Sequence, residues 1–155
     1  MTENVPAQTS RKLATIQRIV EIKPIEGADK ICSYGILGWY VTDQIGKYKV
    51  GDLVVYVEAD AFVPNSLAPF LTKEGKEPKV FNGVLGERLR TVKFKGVLSQ
   101  GLLLNPEDHL HESLISGGYY YDDNTYDSAV LDIGDDITEL LGIQLYEAPI
   151  PACLA

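Results

Sequence analysis

From Lys12 the even positions Ala14, Ile16, Val20 and Ile22 are apolar, with Arg18 the one exception. This period-two alternation predicts a first β-strand that Pro24 stops. Pro24-Ile-Glu-Gly-Ala-Asp29 is turn chemistry. Residues 31–42 read as a second β stretch, broken at Gly38-Trp39, where a glycine inside a strand signals a bulge or sharp coil. Gln44-Ile-Gly-Lys47 and Lys49-Val-Gly-Asp52 mark turns, and Leu53-Val-Val-Tyr-Val-Glu58 is a compact run rich in β-branched residues. Residues 60–84 hold three prolines and two glycines and read as loop, while 88–95 and 101–104 read as closing strands. Short strands, glycine-rich turns and no long 3.6-residue period before residue 108 predict a mainly β fold, a small antiparallel barrel.

After Asn105-Pro106 the pattern changes. Residues 107–136 carry nine acids and a Tyr119-Tyr-Tyr121 cluster, and read as an acidic insertion or long loop. Asp135-Asp-Ile-Thr-Glu-Leu-Leu-Gly142 predicts a short C-terminal helix, with acids near its N-terminus and glycine at its stop. The end, Ala148-Pro-Ile-Pro-Ala-Cys-Leu-Ala155, reads as a linker cut short. The expected organisation is a disordered lead-in over 1–10, a barrel over 11–106, an acidic segment over 107–134, and helix plus linker over 135–155.

Composition adds little, but charge placement adds much. The chain of 155 residues is one domain in length, and no apolar run suits a membrane span. The N-terminus lacks the basic and apolar stretches of a signal peptide, and two cysteines 121 positions apart suit a reducing cytoplasm. All 14 Lys and Arg lie within residues 11–95, which are net +4 in a chain that is −8 in total. The last 60 residues hold 11 acids and no basic residue. A pI of about 4.7 argues against nucleic acid, but this segregation reverses the argument locally.

The densest basic stretch is Arg88-Leu-Arg-Thr-Val-Lys-Phe-Lys-Gly96. Arg88 and Arg90 project from one face of a strand, and a bend is needed to bring Lys93 and Lys95 to the same side. The strip reads either as a phosphate-binding surface or as a solvated outer face. Trp39, Tyr40 and Tyr48 interleave with Lys47 and Lys49, a pattern that stacks unpaired bases, although the single Trp of a small barrel is commonly a core residue. The turn at Ser99-Gln100 offers a hydroxyl and an amide, or is an ordinary hairpin turn. His109 and His111, and separately Glu58 and Asp60, lack the further ligands that a metal site needs. The sequence has no phosphate-binding loop, nucleophile elbow, HExxH or Lys-x-Asp-Gly, so no catalytic residue is assigned.

Six motifs in order carry a family resemblance: Arg11-Lys-Leu-Ala-Thr-Ile16, Pro24-Ile-Glu-Gly-Ala-Asp-Lys-Ile31, Leu37-Gly-Trp39, Tyr48-Lys-Val-Gly-Asp-Leu-Val-Val-Tyr56, the basic stretch from Arg88 to Gly96, and Ser99-Gln-Gly-Leu102. Together they resemble the N-terminal OB-fold module of the Deinococcus–Naegleria group of ATP-dependent RNA ligases. Asp136-Ile-Thr-Glu-Leu-Leu-Gly-Ile143 and Tyr146-Glu-Ala-Pro-Ile-Pro151 resemble that family's link to its nucleotidyltransferase domain. The resemblance implies an OB-fold, RNA as partner, and a downstream catalytic domain that uses ATP and Mg or Mn, with no cofactor held by this chain. It implies that the module helps the catalytic domain engage RNA ends and does not ligate alone. Ala28-Asp-Lys-Ile31 and Gly96-Val-Leu-Ser-Gln-Gly-Leu102 are also similar to tRNA-binding OB modules of some aminoacyl-tRNA synthetases. A stand-alone RNA-binding protein and a protein-interaction module remain as alternatives.

Overall fold

The β-branched and aromatic runs form strands, and left-handed turns decide how those strands pair. The computed structural model describes residues 12–110, 119–120, 126–127 and 131–147. In chain order the strands are β1 (Ala14–Arg18), β2 (Glu21–Pro24), β3 (Ile31–Ile36), β4 (Trp39–Gln44), β5 (Leu53–Val57) and β6 (Ala61–Pro64). A 3₁₀ turn (Pro69–Leu71) precedes β7 (Lys79–Phe81), β8 (Val84–Arg88), β9 (Val92–Phe94), β10 (Val97–Ser99) and β11 (Leu102–Leu104). Helix α1 (Pro106–His109) and the two-residue strands β12 (Tyr119–Tyr120), β13 (Tyr126–Asp127) and β14 (Gln144–Leu145) follow.

Three hairpins have two-residue loops with positive φ at both positions, the type I′ pattern whose twist matches that of paired strands. They are Leu37-Gly38 (46° and 81°), Asn82-Gly83 (51° and 78°) and Lys95-Gly96 (51° and 85°). Gly38 therefore closes the β3–β4 hairpin and is not a bulge within one long strand. The basic stretch likewise splits: Arg88 ends β8, and Lys93 lies in β9, which pairs with β10.

Two three-stranded ladders, β1-β5-β11 and β2-β3-β4, wrap the core as a barrel that, among the described residues, does not close into one continuous sheet. They are separate ladders bridged by single backbone bonds. Ile19 N–H donates to the Asp52 carbonyl (2.9 Å), Val20 N–H to that of Gly35 (2.9 Å), and Gln100 N–H to that of Tyr40 (2.9 Å). The fold is thus mainly β and of OB type, as the sequence resemblance implies.

Strand β5 is buried on both faces. Val54 and Tyr56 face the barrel interior with Ile19, Tyr34, Ile36, Val41, Tyr48 and Leu103. Val55 and Val57 face a second core with Ala14, Ile16, Val63, Leu89, Leu104, Ile137 and Ile143. The segment expected to be loop supplies part of that second core, because β6, β8 and β7 form a sheet and β14 adds to its β6 edge. On β1 the even residues Ala14 and Ile16 face this outer core, and Thr15 and Gln17 point into the barrel, where the Gln17 amide donates to the Thr15 hydroxyl (2.9 Å). Beyond Ile19 the chain bends, leaving Val20 60% exposed.

The short α-helix is α1, capped by the Asn105 side chain, which accepts from Glu107 N–H (3.0 Å). Residues 135–142 are not helical. Their first part runs along the free edge of β1: Ile16 N–H donates to the Asp135 carbonyl (3.2 Å) and Ile137 N–H to that of Ala14 (2.8 Å). Asp136 accepts from Thr138 N–H (3.0 Å), an Asx turn that competes with helix. The Thr138 hydroxyl oxygen accepts from Leu13 N–H (3.0 Å) and Ala14 N–H (3.1 Å), satisfying two buried donors. The lead-in 1–10, the end 148–155 and most of 111–130 lie outside the described residues.

Thr138→Val preserves shape but leaves those two N–H groups without their acceptor. It should cost about 1–3 kcal/mol, read as a lower denaturant midpoint. An unchanged midpoint would show that the edge contact contributes nothing. Burial also pushes the Tyr34 and Tyr48 phenols up, so the folded state favours their neutral forms. Their stabilising contribution is fully present below about pH 10, the ordinary tyrosine value, and declines above it as unfolded tyrosines ionise. Denaturation midpoints across alkaline pH should fall from about pH 10 in the parent and less steeply in Tyr48→Phe.

Candidate nucleic-acid interface

The open face of the β2-β3-β4 sheet is built by cross-strand pairs. Gly35 lies opposite both Glu21 and Tyr40, and Ser33 opposite Lys23 and Thr42. A Cβ on Gly35 would approach Tyr40 Cε1 to 3.0 Å, so the glycine makes room for the tyrosine ring. The ring is then held at its far end, where its hydroxyl donates to Glu21 Oε1 (2.7 Å). Lys23 Nζ stands 4.8 Å from the ring centroid and 3.6 Å from Glu21 Oε2. The hydrogen bond with Tyr40 and the Glu21 charge raise the Lys23 pKa above its ordinary value, so it stays cationic at neutral pH.

The β9–β10 hairpin closes the other side. Lys23, Ser33, Tyr40, Val97, Leu98 and Gln100 line a groove of about 400 Å³. Gln100 is fixed by its backbone: its N–H bonds Tyr40, and its carbonyl accepts from the Tyr56 hydroxyl (2.8 Å). Lys93 pairs with Leu98 across the hairpin, and Lys95 occupies the hairpin tip with a left-handed φ of 51°. The Lys95 stem passes close to Gly27, in the β2–β3 loop. Val92, Phe94 and Leu98 are exposed on the same hairpin, which therefore mixes apolar and cationic side chains.

The residues singled out in the sequence divide among several places. Tyr40 and Gln100 line the groove, and Lys93 and Lys95 belong to the hairpin at its side. Arg88 and Arg90 line a different cavity, with Phe62, Lys79, Glu87 and Tyr146. Lys47 pairs with Asp43 (3.1 Å) at the far end of β4, and Lys49 is exposed beside it. Ser99 is 3% exposed, and its hydroxyl oxygen accepts from Thr42 N–H (2.8 Å), so it stitches β10 to β4 and presents no free hydroxyl. Trp39 is 44% exposed at the start of β4, a surface residue and not core. Lys23 and Gly35 escaped sequence reasoning, although strand alternation from Pro24 backward puts Lys23 on the face opposite Ile22. Asp60 is committed to Arg88 (2.7 Å), and His111 lies outside the described residues. Among the described residues no three potential ligands converge on a metal, and no helix is long and apolar enough to cross a membrane.

An OB-fold places its ligand face on its second and third strands, flanked by the loop before them and the loop before its last strand. Here that face is β3 and β4, flanked by the Gly27 loop and the β9–β10 hairpin. A family model described as an OB-fold domain matches residues 13–106. Naegleria gruberi RNA ligase with PPi is similar at TM-score 0.72 and 38% identity, over 94% of this chain and 38% of that chain. A mutant of that ligase with AMP and Mn is similar at TM-score 0.71 and 37% identity, over 94% of this chain and 38% of that chain. A third structure, a mutant with ATP and Mn, gives TM-score 0.69 at 38% identity, over 90% of this chain and 37% of that chain. The chain thus spans well under half the length of the ligase chains it resembles. No curated protein matches.

Trp39→Ala should change stability by no more than about 0.5 kcal/mol, the range of ordinary surface substitutions. Thermal melts of the two proteins test this, and a loss of several kcal/mol would return Trp39 to the core.

Proposed function

This chain belongs to the OB-fold domain family matched over its residues 13–106, and we propose that it is the RNA-binding accessory module of an ATP-dependent RNA ligase. The observation that carries the reading is the groove on the OB ligand face in which a preset tyrosine ring and Lys23 meet an apolar hairpin that carries Lys93 and Lys95 beside it. The resemblance to Naegleria gruberi RNA ligase supports the choice of RNA. In this reading an unpaired base stacks on Tyr40, and Lys23 leaves the ring to meet a phosphate. Lys93 and Lys95 hold neighbouring phosphates. Fixing Tyr40 by Gly35 and Glu21 beforehand lowers the ordering cost of binding.

Strand joining belongs to a nucleotidyltransferase domain beyond this segment, supplied with ATP and Mg or Mn. That domain provides the lysine nucleophile, since this sequence has no Lys-x-Asp-Gly. The module's part is to hold RNA ends in register with it, in the cytoplasm, without entering the covalent steps.

The test is RNA binding by the combined Lys23→Ala, Lys93→Ala and Lys95→Ala variant, measured across salt concentrations. Affinity should fall roughly tenfold or more, and the slope of log K against log salt should become shallower by about 2, from about 0.7 per phosphate contact on single strands. A folded triple variant with parental affinity and slope would overturn the reading. Salt-insensitive binding by the parent protein would favour a protein-interaction module instead.

A further inference from the structure

The basic stretch divides between the hairpin beside the Tyr40 groove and a second cavity with its own chemistry. Arg88 and Arg90 flank Leu89, which is buried and donates its N–H to the Ala61 carbonyl (2.9 Å), so both arginines turn the same way. They line a cavity of about 330 Å³ with Lys79, Glu87, Phe62 and Tyr146. The Arg88 guanidinium is fixed from two sides. Its Nη2 and Nε donate to Asp60 Oδ1 (2.7 and 3.3 Å), and its carbon lies 4.9 Å from the Tyr146 ring centroid. Tyr146 is itself anchored by its N–H to the Asp60 carbonyl (3.0 Å) and by rings of Phe81 (5.0 Å) and Phe62 (6.3 Å).

We propose that this cavity is a second RNA contact, a phosphate station that extends the path of a strand bound in the Tyr40 groove; it rests on the RNA-binding reading of that groove. The chemistry favours phosphate over base. The Tyr146 ring already carries Arg88 and packs on two phenylalanines, so it is poorly placed to stack a base. A held guanidinium still has N–H donors beyond the two engaged by Asp60, and its fork geometry suits phosphate oxygens. The two acids present are occupied: Asp60 by Arg88, and Glu87 by the Thr72 hydroxyl (2.6 Å) and Lys79 (3.9 Å). Arg90, exposed and without an ion pair among the described residues, is left to meet the ligand. Lys79, 71% exposed and held to Glu87 only by a 3.9 Å contact, turns from that acid to join it while Thr72 keeps Glu87 bonded. The chain links the two places closely: Arg90 of this cavity and Lys93 of the hairpin beside the groove are three residues apart, so their Cα atoms are at most about 11 Å apart.

Two stations on one path make binding depend on RNA length. The experiment compares the parent protein with the Arg90→Ala, Lys79→Ala double variant on single-stranded RNAs of about 4 and about 12 nucleotides, within the range of OB site sizes. Both side chains are exposed, and melts verify folding. The short RNA should bind the variant within about twofold of the parent, and the long RNA roughly tenfold more weakly, with a salt slope shallower by about 1.4. Equal losses on both lengths would mean one undivided surface and overturn the two-station path. No loss on either length would also overturn it, while the RNA reading would stand if the Lys23, Lys93, Lys95 variant still lost affinity. If an acidic peptide such as polyglutamate lost binding in the double variant while RNA did not, the cavity would belong to a protein partner and the proposal would fail.

Discussion

Strand β5 is the constraint on which the rest depends. It is paired on both edges and buried on both faces, so its alternating residues serve two cores at once. Each such side chain contributes on the order of 1.5–3 kcal/mol when fully buried. The two candidate surfaces descend from its two sides. On the barrel side, β11 leads to Gln100, whose backbone ties the hairpin to Tyr40 and closes the groove. On the other side, β1 receives residues 134–138 on its edge, and the following turn returns β14 to β6, bringing Tyr146 over Arg88. The C-terminal acidic part of the chain is therefore not a mere appendage to a basic barrel. Its described end completes a wall of a cationic cavity.

Much of the fold was legible because short β-branched runs and glycine turns carry local information. The order of motifs implied the OB-fold, which the family model over residues 13–106 bears out, although the described ladders do not close into one sheet. What was not legible involved burial on two faces or partners distant in sequence. Alternation in β1 placed Ala14 and Ile16 correctly on one face, but Thr15 and Gln17 are buried on the other, where pattern reading expects solvent. The prolines of 60–84 hid β6 and β7, since Pro64 ends one and Pro78 stands just before the other. The acids of 135–142 suited a helix N-terminus, yet the free edge of β1 offered backbone partners that a short helix could not match.

The candidate interface was legible in composition and not in geometry. Charge counting found the basic stretch, but the left-handed Lys95-Gly96 turn and the end of β8 divide its members, placing Arg88 and Arg90 in one cavity and Lys93 and Lys95 on the hairpin beside the other. Aromatic interleaving found Tyr40 but treated Trp39, Tyr40 and Tyr48 alike, whereas one is at the surface, one in the groove and one in the core. Nothing local marked Lys23 as their companion, because its place over Tyr40 comes from β2 lying two strands away from β4. A buried Ser99 looked like a ligand group because a hydroxyl at a turn carries no sign of which partner it will meet.

The central claim is that RNA lies on the β3–β4 face under the β9–β10 hairpin. Amide chemical-shift changes on titration with single-stranded RNA test it most directly. The account predicts the largest changes at Ser33, Tyr40, Lys95, Gly96, Leu98 and Gln100. Changes confined to the opposite end of β4, around Lys47 and Lys49, with those six residues unmoved, would contradict it.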